Sequence, residues 1–263
     1  MDLAKLIEPV KQLAKQAGEK ILEIYDTDFD VEQKADESPL TAADMASHKT
    51  IVAGLESLTP AIPILSEESA TIPFAERQQW DWYWLVDPLD GTKEFIKKNG
   101  EFTVNIALIH HGDAVLGVVH VPVKDITYYG ADGLGAFRQE GEAKPQAIHV
   151  TGPNDGKLKV VGSRSHAGDS LKQFLDKLGE HEMVSMGSSL KLCLVADGSA
   201  DIYPRLGPTS EWDTAASQAV VEAAGGKVTT LDMQPLKYNT KDSLLNPFFL
   251  VFGDAGRDWA RYL

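Results

Sequence analysis

A mixed α+β / α/β fold in two intimately packed lobes is predicted by three observations: helical hydrophobic spacing at the start, a run of apolar strands over 102–138, and a second half where strand-like and helix-like segments take turns. Leu3, Ile7, Val10, Leu13, Ala14, Ala17, Ile21, Leu22 and Ile24-Tyr25 recur at helical spacing and predict one amphipathic helix to about Tyr25. A second helix is expected from Thr41 or Ala42 to about Leu58, where Thr59-Pro60 ends it. The polar, proline-broken segment 34–41 between them reads as a loop. Segments 62–66 and 83–87 are short apolar strands, each delivering acids where it ends. Strands are then predicted at 103–109, 114–121 and 126–129. Beyond them come a strand at 158–161, a helix at 170–178 and a strand at 183–186. Helices at 190–196 and 214–224 and strands at 202–203 and 227–229 complete the pattern. The chain has no internal repeat or Gly/Ser-rich linker, so the boundary near residue 135 is soft, with lobes at 1–135 and 136–263.

Twenty-five Lys and Arg against 39 Asp and Glu leave a net charge of −14, which argues against nucleic acid or an anionic membrane as the main partner. A phosphate ester would also be repelled unless bound cations invert the local sign. The single cysteine, Cys193, lies in an apolar run and reads as a small buried hydrophobe, so neither a disulfide nor a thiolate metal site is expected. Residues 1–5 carry no basic segment leading into a continuous apolar stretch, so no signal peptide or membrane span is indicated and a cytoplasmic enzyme is the expectation. Trp80, Trp82 and Trp84 alternate at strand spacing, which places one face in the core. Residues 253–263 form an acidic and aromatic tail with no assigned role.

The most informative segment is Trp84-Leu85-Val86-Asp87-Pro88-Leu89-Asp90-Gly91-Thr92, an apolar strand that ends in two carboxylates three residues apart. Mg²⁺ takes oxygen ligands at about 2.0–2.1 Å and suits a site of a few carboxylates plus a substrate phosphate. Pro88 fixes its own φ and pushes Asp87 toward extended geometry, so the chain can turn with both acids facing one point. Gly91-Thr92 begins a helical turn over 93–97 whose first N–H groups face the same place.

Glu67-Glu68 and Asp213 extend this acidic set. Taken singly, each has a plain structural alternative: Glu67-Glu68 as a solvated loop, Asp213 as a helix N-cap, and Asp87 to Asp90 as a β-turn. Taken together, they gather like charges in one cleft, which is tolerable only with cations between them.

These residues resemble the inositol-monophosphatase-like family of Mg²⁺-dependent, lithium-sensitive phosphatases. The resemblance is carried by Leu65-Ser66-Glu67-Glu68, Asp87-Pro88-Leu89-Asp90-Gly91-Thr92 and Trp212-Asp213-Thr214-Ala215-Ala216 with Ala224-Gly225-Gly226 after it. Within the family, segments 34–44, 90–107 and 163–166 look most like the bacterial 3′(2′),5′-bisphosphate nucleotidases. The resemblance implies the αβαβα layering shared with sugar bisphosphatases. It implies two or three Mg²⁺ ions: Glu67, Asp87 and the Leu89 carbonyl on the first, Asp87, Asp90 and Asp213 on the second, with Asp87 bridging. The N–H groups of Gly91 and Thr92 would hold the scissile phosphate. The Thr92 hydroxyl, paired with Asp44, would accept the proton, and Glu68 would orient water; the alternative for Asp44 is a solvated helix face. Lys34 would reach the phosphate or a third cation, or be an ordinary exposed lysine. Glu67 and Asp213 would also touch substrate.

The same resemblance places His166, Ser188, Lys191 and Arg205 on the nucleotide and its second phosphate. Arg can grip a phosphate bidentately and Lys supplies a point charge. The structural alternatives are a snorkelling Lys191 and a surface-loop His166. The implied activity is hydrolysis of adenosine 3′,5′-bisphosphate to AMP and phosphate, and of its 5′-phosphosulfate counterpart. Its alternatives are an inositol monophosphatase or sugar bisphosphatase of the same family, or a nucleotide-sensing module without hydrolysis. The expected partner is thus a small nucleotide bisphosphate, in the cytoplasm or on the cytoplasmic face of the inner membrane.

Overall fold

The computed structural model describes residues 1–25, 31–33, 39–154, 156–163 and 168–263. Helix α1 (Ala4–Tyr25) buries the predicted stripe, with Val10, Ala14, Ala17 and Ile21 fully covered, and packs against α2 (Ala42–Leu58). Between them β1 (Val31–Gln33) and β2 (Pro39–Thr41) pair antiparallel, so the expected loop contains a strand. Its proline occupies the first strand position, where proline is tolerated.

A seven-stranded sheet follows. It is built from β3 (Ile64–Ser66), β4 (Trp82–Asp90), β5 (Thr103–His110), β6 (Asp113–Val121), β7 (Ile126–Ala131), β8 (Gly135–Glu140) and β9 (Gln146–Ile148), in that spatial order. Only the β3–β4 pair is parallel, which brings the C-terminal ends of two acid-bearing strands side by side. Short helices α3 (Phe74–Arg77) and α4 (Thr92–Ile96) flank β4. Side chains alternate as the pleat requires: Trp84, Val86, Ile106 and Val118 face α1 and α2, while Leu85, Ala107 and Val119 face the opposite layer. Trp82 joins the first face, but Trp80 packs on the other, because it precedes β4 and lies outside the alternation.

The second sheet has five strands. The chain supplies β10 (Leu158–Ser163), α5 (Asp169–Leu178), β11 (His181–Met186), α6 (Leu190–Ala196), β12 (Ile202–Arg205), α7 (Ala215–Ala223), β13 (Lys227–Thr230) and β14 (Phe249–Phe252). The spatial order is β11-β10-β12-β14-β13, with β14 inserted antiparallel between β12 and β13. Helices α6 and α7 lie between the sheets and share the largest core with both. On the outer face Phe174 of α5 and Trp259 of the C-terminal segment close a third core over Val160, Ile202 and Leu250. The tail residue Trp259 is therefore a packing element, and its indole N–H donates to the Asp254 carbonyl at 2.8 Å. The layers run α1/α2, first sheet, α6/α7, second sheet, α5: the αβαβα arrangement that the resemblance implied. Strands β8, β9 and β14 were not predicted, and the first sheet continues past residue 135 to Ile148.

Candidate active site

The site begins as a flaw in β4. Asp87 pairs with Asn105 of β5, but the next register pair is Asp90 with Thr103, so β4 holds one extra residue. The expected turn is instead a β-bulge inside a strand, which leaves Pro88 where the ladder needs no N–H and bends the chain. The bulge is tied down on both sides: Ser47 of α2 donates to the Pro88 carbonyl at 2.7 Å, and the Leu89 N–H donates to Asp87 Oδ1 at 3.1 Å. Gly91 then takes φ +92°, in the left-handed region that favours glycine, and opens α4. The Thr92 hydroxyl at its start donates to the Leu89 carbonyl at 3.4 Å.

Asp213 arrives from the far lobe. Ser210 caps the short turn Glu211–Asp213, and its N–H donates to Asp213 Oδ2 at 2.9 Å in a reciprocal capping box. Ser210 is the N-cap and Asp213 its partner, which corrects the alternative that made Asp213 the cap. Glu211, almost fully buried, accepts the Asn239 N–H at 2.9 Å, and Asn239 Oδ1 accepts from Arg77 Nη1 at 2.5 Å. This network pins the segment that presents Asp213.

One carboxylate oxygen each from Asp87, Asp90 and Asp213 lies within 4.8 Å of the others. Burial, then repulsion from Glu67, Asp90, Asp213 and Asp44, raises the Asp87 carboxyl well above the usual range. Burial and the neighbouring Asp90 push Asp213 up to about 8. Asp90 is also raised by burial, against the opposing pull of Lys191, the Ser189 N–H and Asn105. Three carboxylates this close, Asp87 buried and Asp90 and Asp213 half-buried, cannot all ionise without a cation, and a set of oxygen donors with no sulfur or imidazole suits a hard divalent ion.

Glu67 opens a single turn after β3 and, with Leu89, Gly91, Thr92, Ser188, Lys191 and Arg205, lines the same cleft of about 760 Å³. Glu68 follows on that turn, and its charge is felt at His48, whose Nδ1 lies 2.9 Å from Ser66 Oγ. Asp44 is fully buried in the first turn of α2 and its charge acts on Asp87, which overturns the solvated-face alternative. Lys191 does not snorkel either: its amine donates to the Ser188 carbonyl at 2.5 Å beside the Tyr203 ring, and burial lowers it to about 8 despite the pull of Asp90. Ser188 holds φ +44° at the turn that brings this amine into the cleft. Arg205 donates from Nη2 to the Pro208 carbonyl at 2.6 Å, while its buried Nε has no partner among the described residues. Lys34 and His166 lie outside the described residues.

Three residues that hold Asp90 escaped the sequence reading. The Ser189 N–H donates to Asp90 Oδ2 at 2.5 Å, and the Ser189 hydroxyl donates to Asn105 Oδ1 at 2.8 Å. Thr103 Oγ1 also lies 2.8 Å from Ser189 Oγ, and Asn105 Nδ2 reaches Asp90 Oδ2 at 3.5 Å. The one available signal was Asn105 itself, a polar residue in an otherwise apolar central strand, since buried polar groups are normally kept for a partner. A second tie between the lobes runs from the Gly187 N–H to Glu101 Oε2 at 2.9 Å. Among the described residues no helix is long and apolar enough to cross a membrane.

Comparison with known proteins agrees with this layout. The 3′(2′),5′-bisphosphate nucleotidase CysQ of Escherichia coli is 52% identical over 248 residues, covering 94% of this chain and 99% of that protein. The crystal structure of CysQ from Bacteroides thetaiotaomicron superposes with a TM-score of 0.83 at 42% identity, covering 95% of this chain and 97% of that one. Inositol monophosphatase from Anabaena gives a TM-score of 0.78 at 28% identity, covering 100% of this chain and 96% of the other. The profile of the inositol monophosphatase family matches residues 2–250, and with the five-layer fold and the acid cluster it places the chain in that family.

Proposed function

We propose that the protein is a Mg²⁺-dependent phosphatase that removes the 3′-phosphate of adenosine 3′,5′-bisphosphate, giving AMP and phosphate, and that it acts likewise on the 5′-phosphosulfate counterpart. The observation that carries this reading is one cleft lined both by the acid cluster and by two cationic side chains, Lys191 and Arg205. A monophosphate needs only the first; a bisphosphate uses both. The similarity to proteins named as 3′(2′),5′-bisphosphate nucleotidases supports the choice.

Glu67, Asp87, the Leu89 carbonyl, Asp90 and Asp213 would hold two or three Mg²⁺ ions, which when bound supply an acidified water and neutralise charge on the transferring phosphoryl group. Thr92 would relay the proton of the attacking water, its oxygen accepting that proton as its own hydroxyl proton passes to the Asp44 carboxylate, with Glu68 orienting the water. The N–H groups of Gly91 and Thr92 hold the phosphoryl oxygens. Ser188, Lys191 and Arg205 receive the second phosphate, and the lowered Lys191 remains largely cationic at neutral pH. Lys34 and His166 complete the contacts to phosphate and nucleotide. The first lobe thus supplies most of the metal ligands, and the second supplies Asp213 and substrate recognition.

Phosphate release in Mg²⁺ from adenosine 3′,5′-bisphosphate, inositol 1-phosphate and a sugar bisphosphate tests the reading, with a chelated control. The nucleotide is expected to turn over fastest. Preference for inositol 1-phosphate overturns the nucleotide assignment, and nucleotide binding without phosphate release supports the sensing alternative.

A further inference from the structure

Leu245 lines the mouth of the same cleft and is 51% exposed. A lone exposed leucine is ordinary on a protein surface. The backbone of this one is pinned. Its N–H donates to Ser243 Oγ at 3.2 Å, its carbonyl accepts the Lys241 amine, and it bridges antiparallel to Ser210. Its neighbours are tied to the same segment: the Glu211 N–H donates to the Leu244 carbonyl and the Asn246 N–H to the Thr209 carbonyl, both at 2.8 Å. The Asn246 side-chain amide adds bonds to the Ser210 carbonyl at 2.8 Å and to Thr214 Oγ1 at 3.0 Å. Ser210 and Thr214 bracket Asp213, so the leucine and the acid cluster are set in register by one hydrogen-bonded segment.

An apolar group presented on a pinned backbone at the cleft gains by covering an apolar or aromatic face. A polyol would present hydroxyls there and lose their water, whereas a purine presents a flat ring. Leu171, Met186, Leu206 and Phe249 continue the apolar lining. We propose that Leu245 is a specificity-determining residue: its side chain packs against the nucleobase of a nucleoside bisphosphate whose phosphates lie on the acid cluster and on Lys191 and Arg205. The assignment rests on the nucleotide reading above. Leu245 touches no reacting atom, and it acts through substrate affinity.

The test compares kcat and KM of the full chain in Mg²⁺ for adenosine 3′,5′-bisphosphate and for 2-glycerophosphate, which has no base. In Leu245→Ser the kcat/KM ratio of nucleotide to glycerophosphate is expected to fall about tenfold, through KM. In Leu245→Phe, which offers a stacking ring, the ratio is expected to stay at or above the wild-type value. A ratio that moves less than about twofold in the serine variant, with the wild type turning over the nucleotide, overturns Leu245 alone. Wild-type turnover of glycerophosphate without turnover of the nucleotide overturns the nucleotide reading and Leu245 with it.

Discussion

Two buried polar places lie along the first sheet, and they treat charge in opposite ways. At His120 on β6 the imidazole is covered by α1, where a Cβ on Gly18 would stand 2.8 Å from its Cδ2, and Nδ1 lies 2.9 Å from Thr127 Oγ1. Burial lowers it from 6.5 to about 4, with Lys15 adding to the drop and Asp125 opposing it, so the group is neutral and its partner is a hydroxyl. At the β4 bulge Asp87 is buried as deeply, but acids are brought together and their net charge is not cancelled by the protein. One place is finished without help; the other is built to be completed by cations. Depth of burial alone therefore does not tell a structural polar group from a functional one. What tells them apart is whether the chain itself closes the charge balance.

The sharpest way to break this contrast is Asp90→Asn. Turnover is expected to fall about 10³-fold, the several kcal/mol of charge stabilisation that metal supplies to phosphoryl transfer. The fold should survive. Carboxyls raised by burial and repulsion contribute stability below pH 4 that is lost as pH rises through about 8, so in chelator the wild type should melt lower at pH 8 than at pH 5. Asp90→Asn should lessen that drop, and Mg²⁺ should reverse it in the wild type. Wild-type-like activity at matched Mg²⁺, or a collapsed melting temperature in chelator, contradicts the placement of Asp90.

His120 carries the opposite slope. The unfolded chain takes up a proton near 6.5 and the native chain only near 4. Stability is thus full above pH 6.5 and is lost as pH falls toward 4, by about 3 kcal/mol from this group. Denaturant titrations from pH 7 to 4 should show that loss reduced in His120→Asn. An unchanged pH slope removes His120 from the account.

Asn105→Ala tests whether the Ser189–Asn105 pair orients Asp90. A loss of about 10–100-fold in Mg²⁺ affinity is expected, read by calorimetry apart from turnover, with Asn105→Asp not restoring it. Unaltered affinity reduces the pair to packing. The smallest effect is expected from Arg205→Ala: KM for the bisphosphate should rise about tenfold, the worth of one charge-assisted hydrogen bond, while KM for a monophosphate moves less. Equal losses on both substrates contradict a role in reading the second phosphate.

The layers were legible because α1 carries a helical apolar stripe and β4 to β7 are apolar runs bounded by turn residues. The acids were legible because carboxylates at strand ends are conspicuous in apolar surroundings. Strand β14 was not: Phe249-Leu250-Val251-Phe252 is only 4 residues long with Pro247 close before it, whereas β4, β5 and β6, also buried on both faces, run to 9, 8 and 9 residues. Ser189, Thr103 and Leu245 were hidden for another reason. Their residue types are common in strands and loops, and only the tertiary approach of two lobes gives them a task. The bulge at Pro88 was read as a turn because both put proline beside acids, and only the partner strand distinguishes them.

The insertion of β14 between β12 and β13 has a consequence for synthesis on the ribosome. The first sheet uses strands ending at Ile148 and can assemble while the rest is still being made, since chains fold from the N-terminal side as they emerge. The second sheet stays divided until residues 249–252 arrive, because β13 joins it only through β14. A nascent chain therefore presents Asp87 and Asp90 before Asp213 has been made, and the second sheet closes only as β14 threads into its middle.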